Sequence, residues 1–163
     1  MYGLKSVSGL LGLMLLVGCV SATSNPATPP VTSAAIAAAE TPREGLPAQT
    51  LEAGECGLFL WTRRQQPEFI FFSKVGTERG QFWDGEKAIA LSRTGFGGDI
   101  FGQELTEQTF VTGDGRTAKL SLVPGDQLVS GQRVPEASIT IIDSEGWSTL
   151  IPAAGVSVCQ PTP

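Results

Sequence analysis

Histidine is absent from the 163 residues. With it goes the side chain that most often serves as a general base near neutral pH and as a transition-metal ligand. Ser-His-Asp, Cys-His and His-metal chemistry are thereby excluded. Carboxylates are the plentiful reactive groups, with 16 Asp and Glu in all. Two of them held about 5–5.5 Å or about 6.5–9.5 Å apart across a cleft would suit glycoside hydrolysis. The pairs closest in sequence are Asp84 with Glu86 and Asp143 with Glu145. Both straddle turn-like residues, where a carboxylate commonly hydrogen-bonds its own backbone instead.

Other residue types point to binding rather than catalysis. Gly95-Phe96-Gly97-Gly98-Asp99-Ile100-Phe101-Gly102 is the most glycine-dense stretch. It lacks the Gly-Lys-Ser/Thr ending of a phosphate loop and the spacing of a dinucleotide fingerprint. Its Gly97-Gly98-Asp99 occurs once, whereas calcium-binding β-rolls stack such repeats. The stretch reads as a flexible loop that offers Phe96, Asp99 and Phe101 to a partner, the alternative being that both rings tuck into the core. Trp83, beside a hairpin turn, and Trp147, at a strand start, are the other candidate contacts, weighed against plain core filling. Arg63-Arg64 reads as a solvated pair in a loop. No metal site and no cofactor are expected.

Composition bounds what must position these groups. A chain of this length allows one folded domain of ordinary size. Gly 20 and Pro 11 are together about a fifth of the chain, and only 17% of residues are charged, against about 25% in an average globular protein. Short elements joined by many turns follow. Eleven Lys and Arg against 16 Asp and Glu give a net charge of −5. With no basic run beyond Arg63-Arg64, nucleic acid is not an expected partner.

The N-terminus carries Lys5 and then the apolar run Gly9 to Gly18, about ten residues long. That is half of what a bilayer span needs and the length of a secretory signal core. Leu16-Val17-Gly18-Cys19 resembles the bacterial lipobox at all four positions. The resemblance implies a lipoprotein signal peptide over 1–18, cleavage before Cys19, a diacylglycerol on its thiol and a fatty acid such as palmitate on its new amine. Several acyl chains hold a soluble domain on a membrane where one does not, because each buried CH₂ contributes about 0.8 kcal/mol. Val20 and Ser21 replace the Asp that retains many such lipoproteins at the inner membrane. In a host with two membranes the resemblance therefore implies the outer membrane, periplasmic side, and in a host with one, the cell envelope.

From 19 to 50 the chain is rich in Ser, Thr, Ala and Pro and almost free of large apolar residues. Such a segment cannot bury enough surface to offset its ordering entropy and is expected to be a tether. Residues 51–163 hold strand-like runs about every ten residues: Cys56 to Thr62, Glu68 to Lys74, Gln81 to Trp83, Lys87 to Ser92, Gln108 to Thr112, Thr117 to Val123, Ala137 to Asp143, Trp147 to Ile151 and Val156 to Cys159. This predicts an all-β domain, a small antiparallel barrel or sandwich of about eight or nine short strands. Leu58 to Trp61 and Phe69 to Phe72 are apolar at every position, so those strands are expected to be covered on both faces or to lie at a barrel closure. Asp84-Gly85 and Gly113-Asp114-Gly115 mark hairpin turns.

With Cys19 assigned to lipid, the odd count of three cysteines becomes an even two. Cys56 and Cys159 bracket the strand-rich region, and export permits a disulfide between them, the alternative being two buried free thiols. A disulfide-closed β domain behind a lipobox also resembles the lysozyme-inhibitor lipoproteins in architecture. Their inhibitory Ser/Gly/Tyr-type motif has no counterpart here, where the single Tyr is Tyr2. The expectation is a non-catalytic, lipid-anchored module that binds an envelope protein or peptidoglycan. The alternatives are a carboxylate-dependent cell-wall enzyme and a structural lipoprotein.

Overall fold

The computed structural model describes residues 45–163; the expected signal peptide, Cys19 and most of the expected tether lie outside the described residues. Turn residues divide the described chain into nine strands: β1 (Cys56–Thr62), β2 (Phe69–Lys74), β3 (Arg79–Trp83), β4 (Ala88–Phe101), β5 (Glu104–Thr112), β6 (Thr117–Val123), β7 (Gln127–Leu128), β8 (Gly131–Ile142) and β9 (Ser148–Cys159). From β1 to β6 each strand pairs antiparallel with the next. β6 then pairs with β8, β8 with β9, and β9 with β1. Eight strands thus close into an antiparallel meander barrel, and two-residue β7 is an extra strand on β8. Of the two expected architectures, barrel and sandwich, the barrel is the one formed. Closure removes the free edges that would otherwise invite pairing with another chain.

Period-two alternation decides which side chains fill the interior. On β6, Ala118, Leu120 and Leu122 are buried while Lys119 and Ser121 are exposed, as the sequence pattern requires. Leu58, Leu60, Phe71, Phe82, Leu91, Phe110, Val134 and Ile139 join them in one core cluster. An eight-stranded barrel is just wide enough to be filled in this way. Phe71 and Phe110 meet edge to face, with ring centroids 5.5 Å apart.

β5 and β8 begin four and six residues before the expected runs, two-residue β7 has no expected counterpart, and residues 45–50, expected as tether, start with a bridge to β2 at Phe69; two further departures reshape the fold. The runs expected as separate strands at Trp147 to Ile151 and Val156 to Cys159 are one continuous β9, in which Pro152 pairs with Ser138 of β8, its carbonyl accepts from the Arg63 amide just beyond the end of β1, and Gly155 lets β1 approach. Gly95 to Gly102, expected as a flexible loop, instead forms most of the second half of β4 and the turn after it. Its glycines serve two bulges against β5, between Arg93 and Gly95 and between Gly97 and Ile100. Bulges bend a strand and raise its twist, and Gly98 at φ 74° takes the conformation a side chain resists. β3 pairs with β4 no further than Ser92, so the β4–β5 hairpin overhangs the barrel and turns Phe101 back into its core.

The meander gives the barrel two ends. The β1–β2, β3–β4, β5–β6 and β8–β9 turns lie at the upper end; Cys56, Cys159 and the β2–β3, β4–β5 and β6–β8 connections lie at the lower. Cys56 and Cys159 are direct partners across β1 and β9 and form the disulfide.

Candidate functional site

The five residues expected to contact a partner do not come together. Phe96, Asp99 and Phe101 lie on the lower overhang, Trp83 and Trp147 at the upper end. Phe96 is 71% exposed and Asp99 is exposed, whereas Phe101 is 4% exposed and belongs to the core. The glycine-rich stretch therefore presents one ring and anchors itself with the other. Ile100 stands exposed beside the anchor, and the Arg93 guanidinium lies 6.0 Å from the Phe96 ring centroid. Trp83 is half-buried against the core, and Trp147 is exposed at the β8–β9 turn with Leu150 nearby on β9.

In each carboxylate pair at the upper end the aspartate is occupied with holding a turn. Asp84 Oδ1 accepts from the Glu86 and Lys87 amides, and Asp143 Oδ1 from the Glu145 and Trp147 amides. The amide bond from Lys87, helped by nearby Arg116, holds the Asp84 carboxyl below its ordinary range. Asp114 is held down to about 2 by hydrogen bonds from Arg116 and from the Thr112 hydroxyl. Arg116 also reaches Asp84 at 3.7 Å, so the β3–β4 and β5–β6 turns are tied by one guanidinium. Carboxylates depressed in this way are weak proton acceptors, and each is committed to backbone or Arg donors. Among the described residues no three or more Cys, Asp or Glu are grouped to hold a metal ion.

Two features were not singled out from the sequence. The first is polar and internal. Glu104 and Gln108, one near the start of β5 and one further along it, are 3% and 2% exposed. Gln108 Nε2 donates to Glu104 Oε2 at 2.9 Å, while Glu104 Oε1 and Gln108 Oε1 have no partner. Burial pushes the Glu104 carboxyl up to about 6, against the opposing pull of the Gln108 bond and the Arg93 charge.

The second is the outer wall of β9, β1 and β2, where a soluble barrel ordinarily carries polar side chains. Register places Phe59 between Phe72 and Val156, and Trp61 between Phe69 and Ala154. Ring centroids lie 4.9 Å apart for Phe59–Phe72, 5.1 Å for Trp61–Phe69 and 5.9 Å for Phe59–Phe69. Such pairs contribute about 0.5–1.5 kcal/mol each beyond their buried area. Residues 45–51 cover part of this wall. Leu46 is buried there and its amide donates to the Phe69 carbonyl at 2.7 Å, while Leu51 lies over Gly57. Beside that segment an apolar groove of about 360 Å³ stays open, lined by Ala48, Phe59, Trp61, Phe69, Val156 and Val158 together with Gln49. The sequence signal for the wall was the pair of runs apolar at every position, joined by the outward alternation Leu150, Pro152, Ala154, Val156, Val158.

No known protein family, curated protein or solved structure matches this chain.

Proposed function

We propose that the chain is a lipid-anchored envelope protein, held through Cys19 on the periplasmic side of the outer membrane, whose β domain binds another protein without catalysing a reaction. The observation that carries the reading is the aromatic outer wall and its half-filled groove. The barrel interior is packed with side chains, so an apolar partner has the outside to bind. The wall side chains Phe59, Trp61, Phe69, Val156 and Val158 are half-buried, and contiguous apolar surface left partly open to solvent marks a contact site. Residues 45–51 offer a pattern for such a partner, with a backbone N–H on the Phe69 carbonyl and the Leu51 side chain over Gly57. A protein segment of that kind is favoured over peptidoglycan, whose hydroxyl and amide groups need polar partners that Phe59, Trp61, Val156 and Val158 do not offer.

Photo-crosslinking in cells tests this, with a benzophenone side chain at Val156 or Val158 on the wall and at Lys119 or Ser121 on the opposite outer face. The expected result is one protein, identified by mass spectrometry, captured from both wall positions and from neither control, and lost when Trp61→Glu is added to a chain that still folds. Equal capture from both faces, capture of peptidoglycan fragments, or no capture from the wall would reject the reading.

A further inference from the structure

The β4–β5 overhang is built to be docked rather than continuous with the barrel wall. Beyond Arg93, whose amide donates to the Glu78 carbonyl just ahead of β3, its β4 strand has lost β3 as a neighbour, and two bulges interrupt its register with β5. Its hold on the lower end rests on Phe101, which faces Glu104 across the hairpin, and on the Glu104–Gln108 pair behind it. At that pair two buried oxygens, Glu104 Oε1 and Gln108 Oε1, both accept hydrogen bonds and neither receives one. A buried acceptor without a donor costs about 1–3 kcal/mol. One proton on Glu104 Oε1 would serve both, since an acid O–H facing an amide oxygen beside an amide N–H facing the acid oxygen is a complete cyclic pair.

We propose that Glu104 and Gln108 form a proton-operated latch for the β4–β5 overhang: the protonated pair keeps Phe101 seated in the barrel end, and release of the proton to solvent loosens the hairpin and brings Phe101 to the surface with Phe96 and Ile100. The charged group acting on Glu104 is Arg93 of β4, which favours the open, ionised arm without making a hydrogen bond to it. Gln108 on its own strand is neutral. The side chains that face inward at this end from the other strands, Leu58, Ser73, Leu122, Val134 and Ser157, carry no charge. Ionising Glu104 therefore places a carboxylate in an uncharged barrel end where Gln108 Nε2 is the donor bonded to it and the buried Ser73 hydroxyl makes no hydrogen bond, and undocking rehydrates it. This inference is independent of the outer wall and does not require a partner there.

Hydrogen exchange, corrected for the intrinsic pH dependence of the amides, tests it on residues 95–107 with β2 as the reference for whole-barrel opening. With the Glu104 carboxyl returning from about 6 to its ordinary 4.5 on undocking, protection of residues 95–107 should fall by about 15-fold between pH 4.5 and pH 7.5. Protection of β2 should hold. Glu104→Gln, which keeps a neutral side chain at every pH, should leave residues 95–107 equally protected across the range. A fall shared by β2, a fall that persists in Glu104→Gln, or no fall in the native chain would each overturn the latch. Should Glu104→Gln not fold, exchange in Phe101→Leu at pH 4.5 reads the same hinge, and protection of residues 95–107 undiminished relative to β2 would reject it.

Discussion

Cys56 and Cys159 face each other across β1 and β9, the strand pair that closes the barrel, so one covalent bond spans 103 residues of sequence at the seam of the fold. The β1–β9 ladder is the longest-range pairing in the meander and the one with the largest entropy of closure. A cross-link there restricts the unfolded chain most. For a loop of about 100 residues the chain-entropy account gives about 4.7 kcal/mol. Replacing both cysteines with serine should lower the urea midpoint by a corresponding amount, and adding reductant to the native chain should lower it similarly. A loss under about 1 kcal/mol would mean that the closed ladder already restricts the chain without the bond.

Phe96 and Phe101 sit five residues apart on one strand and should respond oppositely to truncation. Phe101→Ala empties a core position and should cost about 3–5 kcal/mol. Phe96→Ala removes a ring that is 71% exposed and should change stability by no more than about 0.5 kcal/mol. Thermal or urea unfolding of the two variants checks this directly. Equal losses would place both rings in the core, and two negligible losses would leave the overhang undocked.

The closed β fold was legible because alternation, turn residues and cysteine parity agree in most of the domain. Ala118 to Leu122 showed its inward face, Asp84-Gly85 showed its hairpin, and Cys56 with Cys159 showed where the ends meet. The glycine-rich stretch misled because glycine density is the signature of both a mobile loop and a bulged strand. Local composition does not distinguish them, and the pairing of Gly97 with Glu107 decides. The apolar runs at Leu58 and Phe69 were expected to be covered on both faces or to lie at a barrel closure; β1 does lie at the closure with β9, and the outer face is covered in part. What covers the second face was not readable, since the segment that does so, residues 45–51, lies almost wholly inside the expected tether 19–50 and shares its composition. Glu104 and Gln108 were missed because a carboxylate and an amide four apart give no hint of burial until the overhang folds back.

Gly155 makes a prediction of its own, from close approach rather than from backbone angle. A Cβ there would run into the Phe59 carbonyl oxygen and press on the Leu60 Cα. Both are backbone atoms of β1, so neither moves without parting the closing ladder. Gly155→Ala should therefore destabilise by about 3 kcal/mol or more, at or beyond the upper range of overpacked cores. Gly113→Ala, where a Cβ meets nothing within 4 Å, is the control and should stay within about 0.5 kcal/mol. If Gly155→Ala unfolds at the same denaturant concentration as the native chain, the tight β1–β9 approach is not a feature of the folded protein in solution.

The proposed membrane attachment turns on Cys19. In Cys19→Ser the thiol that would carry diacylglycerol is gone, and the acyl chains with it. Fractionated cells should show the native chain in the membrane pellet and the variant either unprocessed or soluble. Mass spectrometry should find the native mature chain heavier than residues 19–163 by its acyl groups. A native chain of unmodified mass, partitioning like the variant, would remove the lipid anchor from the proposed function and leave the binding wall to be tested alone.

Glu104 fixes the sign of the pH dependence between pH 4.5 and pH 7.5. Its carboxyl is raised in the fold from the ordinary 4.5 to about 6 by burial. A raised acid binds its proton more tightly in the folded state, so its contribution is fully present below pH 4.5. It is lost as pH rises through about 6. The shift corresponds to roughly 2 kcal/mol. Asp84, Asp114 and Glu55 act in the opposite sense, because hydrogen bonds and Arg or Lys partners lower them. Their contributions are lost as pH falls through their own depressed values, below the window in which Glu104 titrates. Urea unfolding should thus show the native chain less stable at pH 7.5 than at pH 5. Glu104→Gln should flatten that slope while leaving the acid limb unchanged. A native chain equally stable at the two pH values would mean that Glu104 reaches water in the folded state, and would count against both its burial and the seating of Phe101.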